Sequence, residues 1–168
     1  SPDAATSVSL HDIDTGLVAH DTPITVAGLV VTGIAKLEGV DYAGNCEYTA
    51  WVQDPAGPPP SGIKLFTLGP SCSPTDRGLC ACPFPPLTGG EMDKVTELND
   101  VLTVVGRVNV WVPPGTFVPL HEIVVDSLTK TGTGAAVTPA VFVNGAEFAK
   151  DSSRYQEYEG MLVTIRPS

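Results

Sequence analysis

The sequence is poor in positive charge. Nine Lys and Arg stand against nineteen Asp and Glu in 168 residues, a net charge of −10. That balance argues against a generic phosphate-binding surface, which needs clustered cations. Apolar runs are short, and none approaches the roughly 18 residues a membrane-spanning helix requires. Aromatic residues make up 7 %, and cysteine occupies four positions. The patterns C-x-x-C, C-x-x-C-H, H-E-x-x-H and G-x-S-x-G are all missing. Thioredoxin-like redox chemistry, covalent haem, zincin-type hydrolysis and the nucleophile-elbow acyl transfer are therefore without support. The chain opens at Ser1 without a basic and then apolar leader. The expectation is that a signal peptide has been removed or lies outside the sequence.

What is present is a foldable β-type composition. Hydrophobic residues reach 42 %, enough to offset ordering entropy, and the length suits one domain with an appendage. Seventeen glycines and sixteen prolines shorten helices and favour strands joined by turns. Residues 1–22 read as a small, polar tether followed by a short lead-in, and residues 23–168 as the folded domain. Pro-Asp-Ala tethers of this kind resemble those that follow the lipid-bearing cysteine of bacterial secreted lipoproteins, which implies a lipid anchor upstream of Ser1.

Strands are predicted at Ile24–Ile34, Glu47–Gln53, Ile63–Thr67, Val101–Val112 and Phe117–Leu128, from β-branched runs bounded by turn residues. The first and fourth carry internal glycines, Gly28, Gly33 and Gly106, which mark bends or bulges. Lys36–Asn45 reads as a loop and Lys130–Ala136 as a linker. Short strands are expected at Ala140–Val143 and Gly160–Ile165. Gly145–Tyr158 holds the one helix of any length. Its Glu147, Lys150, Asp151, Arg154 and Glu157 fall at i,i+3 and i,i+4 spacings and read as a solvated face.

Cys46, Cys72, Cys80 and Cys82 are even in number, as two disulfides in an oxidising compartment would require. Their spacings lack the paired C-x2-C ligands of structural zinc. Cys80 and Cys82 lie too close to pair easily, so Cys46 is expected to join Cys72, Cys80 or Cys82. Such a bridge closes a loop of about 30 residues, worth roughly 3–4 kcal/mol. It would staple the aperiodic insert 68–90, which otherwise has no means of packing.

Five bent strands suggest an all-β, five-stranded OB-type Greek-key barrel. The segments ITVAGLVVTGI, AWVQDPAGPPPSGIKLFT, DVLTVVGRVNVW and YEGMLVTI also resemble the OB-fold domain of bacterial secreted proteins. That family includes extracellular endonuclease/exonuclease/phosphatase-type nucleases and secreted lipoproteins. The likeness covers roughly residues 24–165. Its most specific parts are Gln53-Asp54-Pro55 and Tyr158-Glu159-Gly160-Met161-Leu162-Val163. Two features depart from it: the Cys-rich insert, and Asn99-Asp100 where the family has Gly-Asp. Members continue past this final strand, so the chain is expected to be a piece of a longer protein or a processed product. The resemblance implies a fold and a secreted or cell-surface setting, and it supplies no catalytic residue.

The candidate ligand residues are Trp51, Gln53, Asp54, Trp111 and Phe117. OB barrels stack bases or sugars on exposed aromatics, and Trp51, Trp111, Phe117 and Tyr48 are the aromatics placed to do so. Barrel packing competes for each of them. Gln53-Asp54-Pro55 reads either as a ligand contact at the barrel mouth or as a strand exit in which Asp54 caps the turn. Lys64 and Arg107 are the only cations on the second to fifth strands, against Glu47, Asp54, Glu122 and Asp126. Protein or glycan is thus a better partner than nucleic acid. His11, His20 and His121 lie in no ligand pattern. Asp12-Ile13-Asp14-Thr15-Gly16 departs from the EF-hand loop, so no cofactor is expected beyond adventitious calcium.

The reading is a non-catalytic binding module. A structural subunit of an extracellular assembly is the alternative, because open barrels expose edges a neighbour can extend. A single-stranded nucleic-acid-binding accessory to a secreted nuclease is a further one. An insert lying over the barrel face would favour assembly.

Overall fold

The computed structural model describes residues 6–40, 44–71, 73–74, 80–82, 90–112, 114–115, 117–143, 158 and 160–166. Five strands form the barrel: β2 (Pro23–Val40), β3 (Asn45–Gln53), β4 (Gly62–Ser71), β7 (Val101–Trp111) and β8 (Leu120–Gly132). The order is β2-β3-β4-β8-β7, and β7 returns to pair with β2. All neighbours are antiparallel except β4 and β8, which run parallel over Lys64–Phe66 and Glu122–Val124. This is an OB-type Greek-key barrel. The remaining strands are β1 (Thr6–Ser7), which pairs with β2, the short pair β5 (Ser73–Pro74) and β6 (Cys80–Ala81), and the parallel pair β9 (Ala140–Val143) and β10 (Val163–Arg166).

Closure depends on β2 serving two neighbours. Residues 23–30 pair with β7 and residues 30–40 with β3. The bend lies at Gly28, whose φ of +78° only glycine adopts freely, and the register slips there between Val26 and Leu29. Gly106 answers a different need. A Cβ at that position would overlap the carbonyl of Val124 on β8.

The strand β2 extends six residues beyond the predicted Ile34, through the segment expected to be a loop. From Ala35 to Val40 its residues alternate half-buried and exposed, which is the period of a one-sided strand. The strand β8 begins at Leu120 and not Phe117, and runs on through Gly132, into the expected linker. The core is the inward set of the five strands, including Ile24, Leu29, Val52, Ile63, Leu65, Leu102, Val104 and Ile123.

Each barrel end has its own plug. The lead-in before residue 23 contributes α1 (Leu10–Asp14), with Leu10 and Ile13 fully buried. Ser9 and Asp12 form a reciprocal capping box that starts this helix. At the other end the 3-10 helix η1 (Glu91–Lys94) buries Met92 and is tied to β8. The Glu91 carboxylate accepts from Leu128 N–H, and Lys94 Nζ donates to Leu128 O at 3.0 Å. Desolvation raises the Glu91 pKa, but the Lys94 and Leu128 hydrogen bonds outweigh it and hold the carboxyl below its ordinary value.

Cys46, on the inner side of β3, is bonded to Cys82 across 36 residues. The insert is thus anchored at Cys82 to a core-facing position, where Cys82 packs against the core. Cys72 and residues 145–157 of the helix predicted over Gly145–Tyr158 lie outside the described residues, as does most of the insert. No helix among the described residues is long and apolar enough to cross a membrane.

Candidate binding face

Strand parity sets the outer face. On β3, β4, β8 and β7, cross-strand partners line up as Trp51–Lys64–Glu122–Asn109, and beside them as Thr49–Phe66–Val124–Arg107. The side chains of Lys64 and Glu122 meet at 2.7 Å, and Glu38 on β2 approaches the same ammonium at 3.4 Å. Asn109 Nδ2 donates to Glu122 Oε1 at 2.6 Å. Desolvation pulls the Lys64 pKa down, yet the Glu122 and Glu38 carboxylates outweigh it and leave the ammonium above its ordinary value. Lys64 also stands 6.0 Å above the Phe66 ring. Its charge is spent inside the protein. Arg107 is drawn to Asp21 at 3.5 Å and Asp126 at 4.0 Å. The two strand cations singled out from sequence therefore both face carboxylates, Lys64 closely and Arg107 from a half-exposed position.

Gln53 and Gly62 lie on this same outer side, one row further along. Here the protein's own chain covers the barrel. Gln53 is only 3 % exposed, and its Oε1 accepts from Leu162 N–H at 2.9 Å. Gly160 rests on Gly62 so closely that a Cβ on Gly62 would overlap the Gly160 carbonyl. A Cβ on Gly160, itself at φ +70°, would stand 2.8 Å from the Gly62 carbonyl carbon. Ser61 Oγ approaches Met161 Sδ at 3.9 Å. Trp51 lies between Gly33 and Gly160, and a shallow cleft lined by Thr32, Trp51, Gly160, Met161 and Leu162 opens beside it. The two most distinctive sequence segments thus pack against each other.

Asp54 caps a turn. Its Oδ1 accepts from Ala56 N–H at 2.9 Å, and its own N–H donates to Ser61 O at 2.8 Å. Trp111 and Phe117 are elsewhere, flanking the β7–β8 connection. Trp111 is 47 % exposed and Phe117 100 %, and the next residue after each, Val112 and Val118, is exposed as well. The structure therefore divides the five candidates. Gln53 is buried against Leu162, Asp54 caps a turn and half-buried Trp51 borders the cleft, while Trp111 and Phe117 meet solvent. Tyr48 is core, and its burial raises its pKa.

Sequence reasoning assigned no role to Ser61, Gly62 or Gly160, although it singled out the segments that hold them, and it did not bring Glu38, Lys64, Glu122 and Asn109 together. The available signal was the pair of isolated glycines in SGI and EGM, since an isolated glycine marks a close backbone approach or a positive φ. His121 and Glu122, adjacent on β8, point to opposite sides. Glu122 faces Lys64, whereas His121 Nδ1 lies 3.9 Å from Asp14 Oδ1 under α1, and burial lowers its pKa. Among the described residues no three His, Cys, Asp or Glu side chains gather as a metal site.

No family model matches the chain, and no curated protein does. Among solved structures it is similar to a chain described as an aspartyl-tRNA synthetase from Leishmania major. The match has 10 % identity and a TM-score of 0.47, over 83 % of this chain and 23 % of that one. A likeness this distant carries no functional argument.

Proposed function

We propose that the protein is a non-catalytic OB-fold binding module of a secreted or cell-surface bacterial protein, and that it takes a protein or glycan partner at the β7–β8 connection. One observation carries this reading. Trp111, Val112, Phe117 and Val118 are each exposed, along a connection that OB barrels use for ligands. Solvent-facing aromatics are anchors for protein surfaces and sugar rings. The paired state of Lys64 and Arg107 supports an uncharged or protein partner over nucleic acid. The Cys46–Cys82 bridge supports an oxidising compartment.

The test is a binding screen of the wild type and a W111A/F117A variant against neutral glycans, extracellular proteins of the source and a single-stranded oligonucleotide. Expected is a protein or glycan partner retained by the wild type and lost by the variant. Salt-dependent oligonucleotide binding that the variant keeps would contradict the reading.

A second reading, a subunit of an extracellular assembly, draws on a different place. The pair β9–β10 leaves Val141, Val163 and Ile165 exposed. Native mass by light scattering separates the two, since the assembly reading requires multiples of 17.5 kDa.

A further inference from the structure

The contact between the barrel and residues 160–162 has the form of peptide recognition. Gln53, held at 3 % exposure, reads a main-chain N–H. Gly62 admits only a residue without a side chain opposite it. Trp51 and Ser61 flank the glycine and the methionine that follows. Together these contacts fit a Gly-Met-Leu segment that enters through a turn, with Gly160 at φ +70° and Met161 N–H donating to Tyr158 O at 3.1 Å, and none requires the segment to belong to the same chain.

We infer that Trp51, Gln53, Ser61 and Gly62 form an acceptor site for a Gly-Met-Leu segment, filled here by the chain's own Gly160–Leu162 strap, and that a second copy of this chain supplies the same segment in trans. The occupant is argued from the fit itself, since the site is shaped around this chain's own sequence. The route is also visible. Between β8 and β9, Val137 is buried and Ala135 N–H donates to Asn99 O at 3.2 Å, whereas Thr133 and Gly134, the latter at φ +76°, are exposed. A hinge there would carry β9, the strap and β10 together to a neighbour, as in other exchanges of identical elements. The arm also carries apolar surface that its two-stranded sheet does not cover, at Val141, Leu162, Val163 and Ile165. The in-chain arrangement wins in dilute solution because a tethered segment competes at an effective concentration of roughly millimolar. The inference rests on residues other than Trp111 and Phe117, so it stands or falls apart from the partner reading.

Two complementary variants of the full chain test it. Gly160→Val spoils the strap and leaves the acceptor intact; Gly62→Val spoils the acceptor and leaves the strap intact. A labelled peptide of residues 158–165, Tyr-Glu-Gly-Met-Leu-Val-Thr-Ile, is followed by fluorescence anisotropy. It is expected to bind G160V on the order of a hundredfold more tightly than the wild type, whose own strap competes. The double variant G62V/G160V should not bind it. Mixing G62V with G160V should then give a one-to-one complex of twice 17.5 kDa by light scattering, with each alone monomeric. Should G160V fail to fold, Leu162→Pro removes the N–H that Gln53 accepts while altering an exposed side chain. A folded G160V or L162P that ignores the peptide overturns the acceptor site. Peptide binding without a mixed dimer overturns the second copy as its source.

Discussion

Two parts of the barrel surface carry aromatic residues, and they differ in what covers them. At the β3–β4 end, Trp51 is sandwiched between Gly33 and Gly160, and the neighbouring Gln53 spends its amide on Leu162. At the β7–β8 connection, Trp111 and Phe117 face water. Both places looked alike as lists of residues on strands. The difference teaches that two distinctive segments of this sequence, Gln53-Asp54-Pro55 and Gly160-Met161-Leu162, pack against each other, whereas the aromatics at the β7–β8 connection are left exposed. It also separates polar groups already satisfied from those available to a ligand.

The comparison can be broken most severely at the covered regions. Removing the Cys46–Cys82 bridge as C46A/C82A frees a loop of 36 residues and should cost about 4 kcal/mol, read as a lowered denaturant midpoint. Gly62→Val forces a side chain into the Gly160 backbone, and overpacking of this kind costs about 1–3 kcal/mol. Gln53→Ala leaves the Leu162 N–H without its acceptor and should cost about 1 kcal/mol. By contrast W111A/F117A should leave stability within about 0.5 kcal/mol, because exposed side chains contribute little to the fold. Urea denaturation of all four variants would rank them.

The smallest effect concerns acid. Burial lowers the His121 pKa in the folded state, so the unfolded chain binds more protons below the ordinary value of 6.5. Stability is therefore full above that pH and declines as pH falls from 6.5 toward the folded pKa. Glu91, with its pKa lowered from 4.5, adds a further loss only as pH drops below that value. The melting temperature should thus begin to fall between pH 7 and 5, and His121→Gln should flatten that interval while leaving the steeper loss below it.

Much of the barrel was legible because it is written in local pattern. β-Branched runs marked β2, β3, β4, β7 and β8, and the glycines at 28 and 106 marked a bulge and a close crossing. The continuation of β2 was hidden by the mixed composition of Lys36–Val40, where only the alternation of burial reveals a strand. The helix α1 spans five residues, too few for a hydrophobic period, and its capping box was the one available sign. The candidate site was harder. Gln53 and Leu162 are 109 residues apart, and the Trp51–Lys64–Glu122–Asn109 row depends on the register of four strands. Neither is a local property, so residue type alone could not tell an aromatic that binds from one that packs.

Acrylamide quenching of single-tryptophan variants tests the central contrast most directly. W51F retains Trp111 and W111F retains Trp51. Trp111 should be quenched readily, and half-buried Trp51 should be quenched less until Gly160→Val removes the strap. If Trp51 quenches as readily as Trp111 in the presence of an intact strap, the covered half of the face does not exist as described.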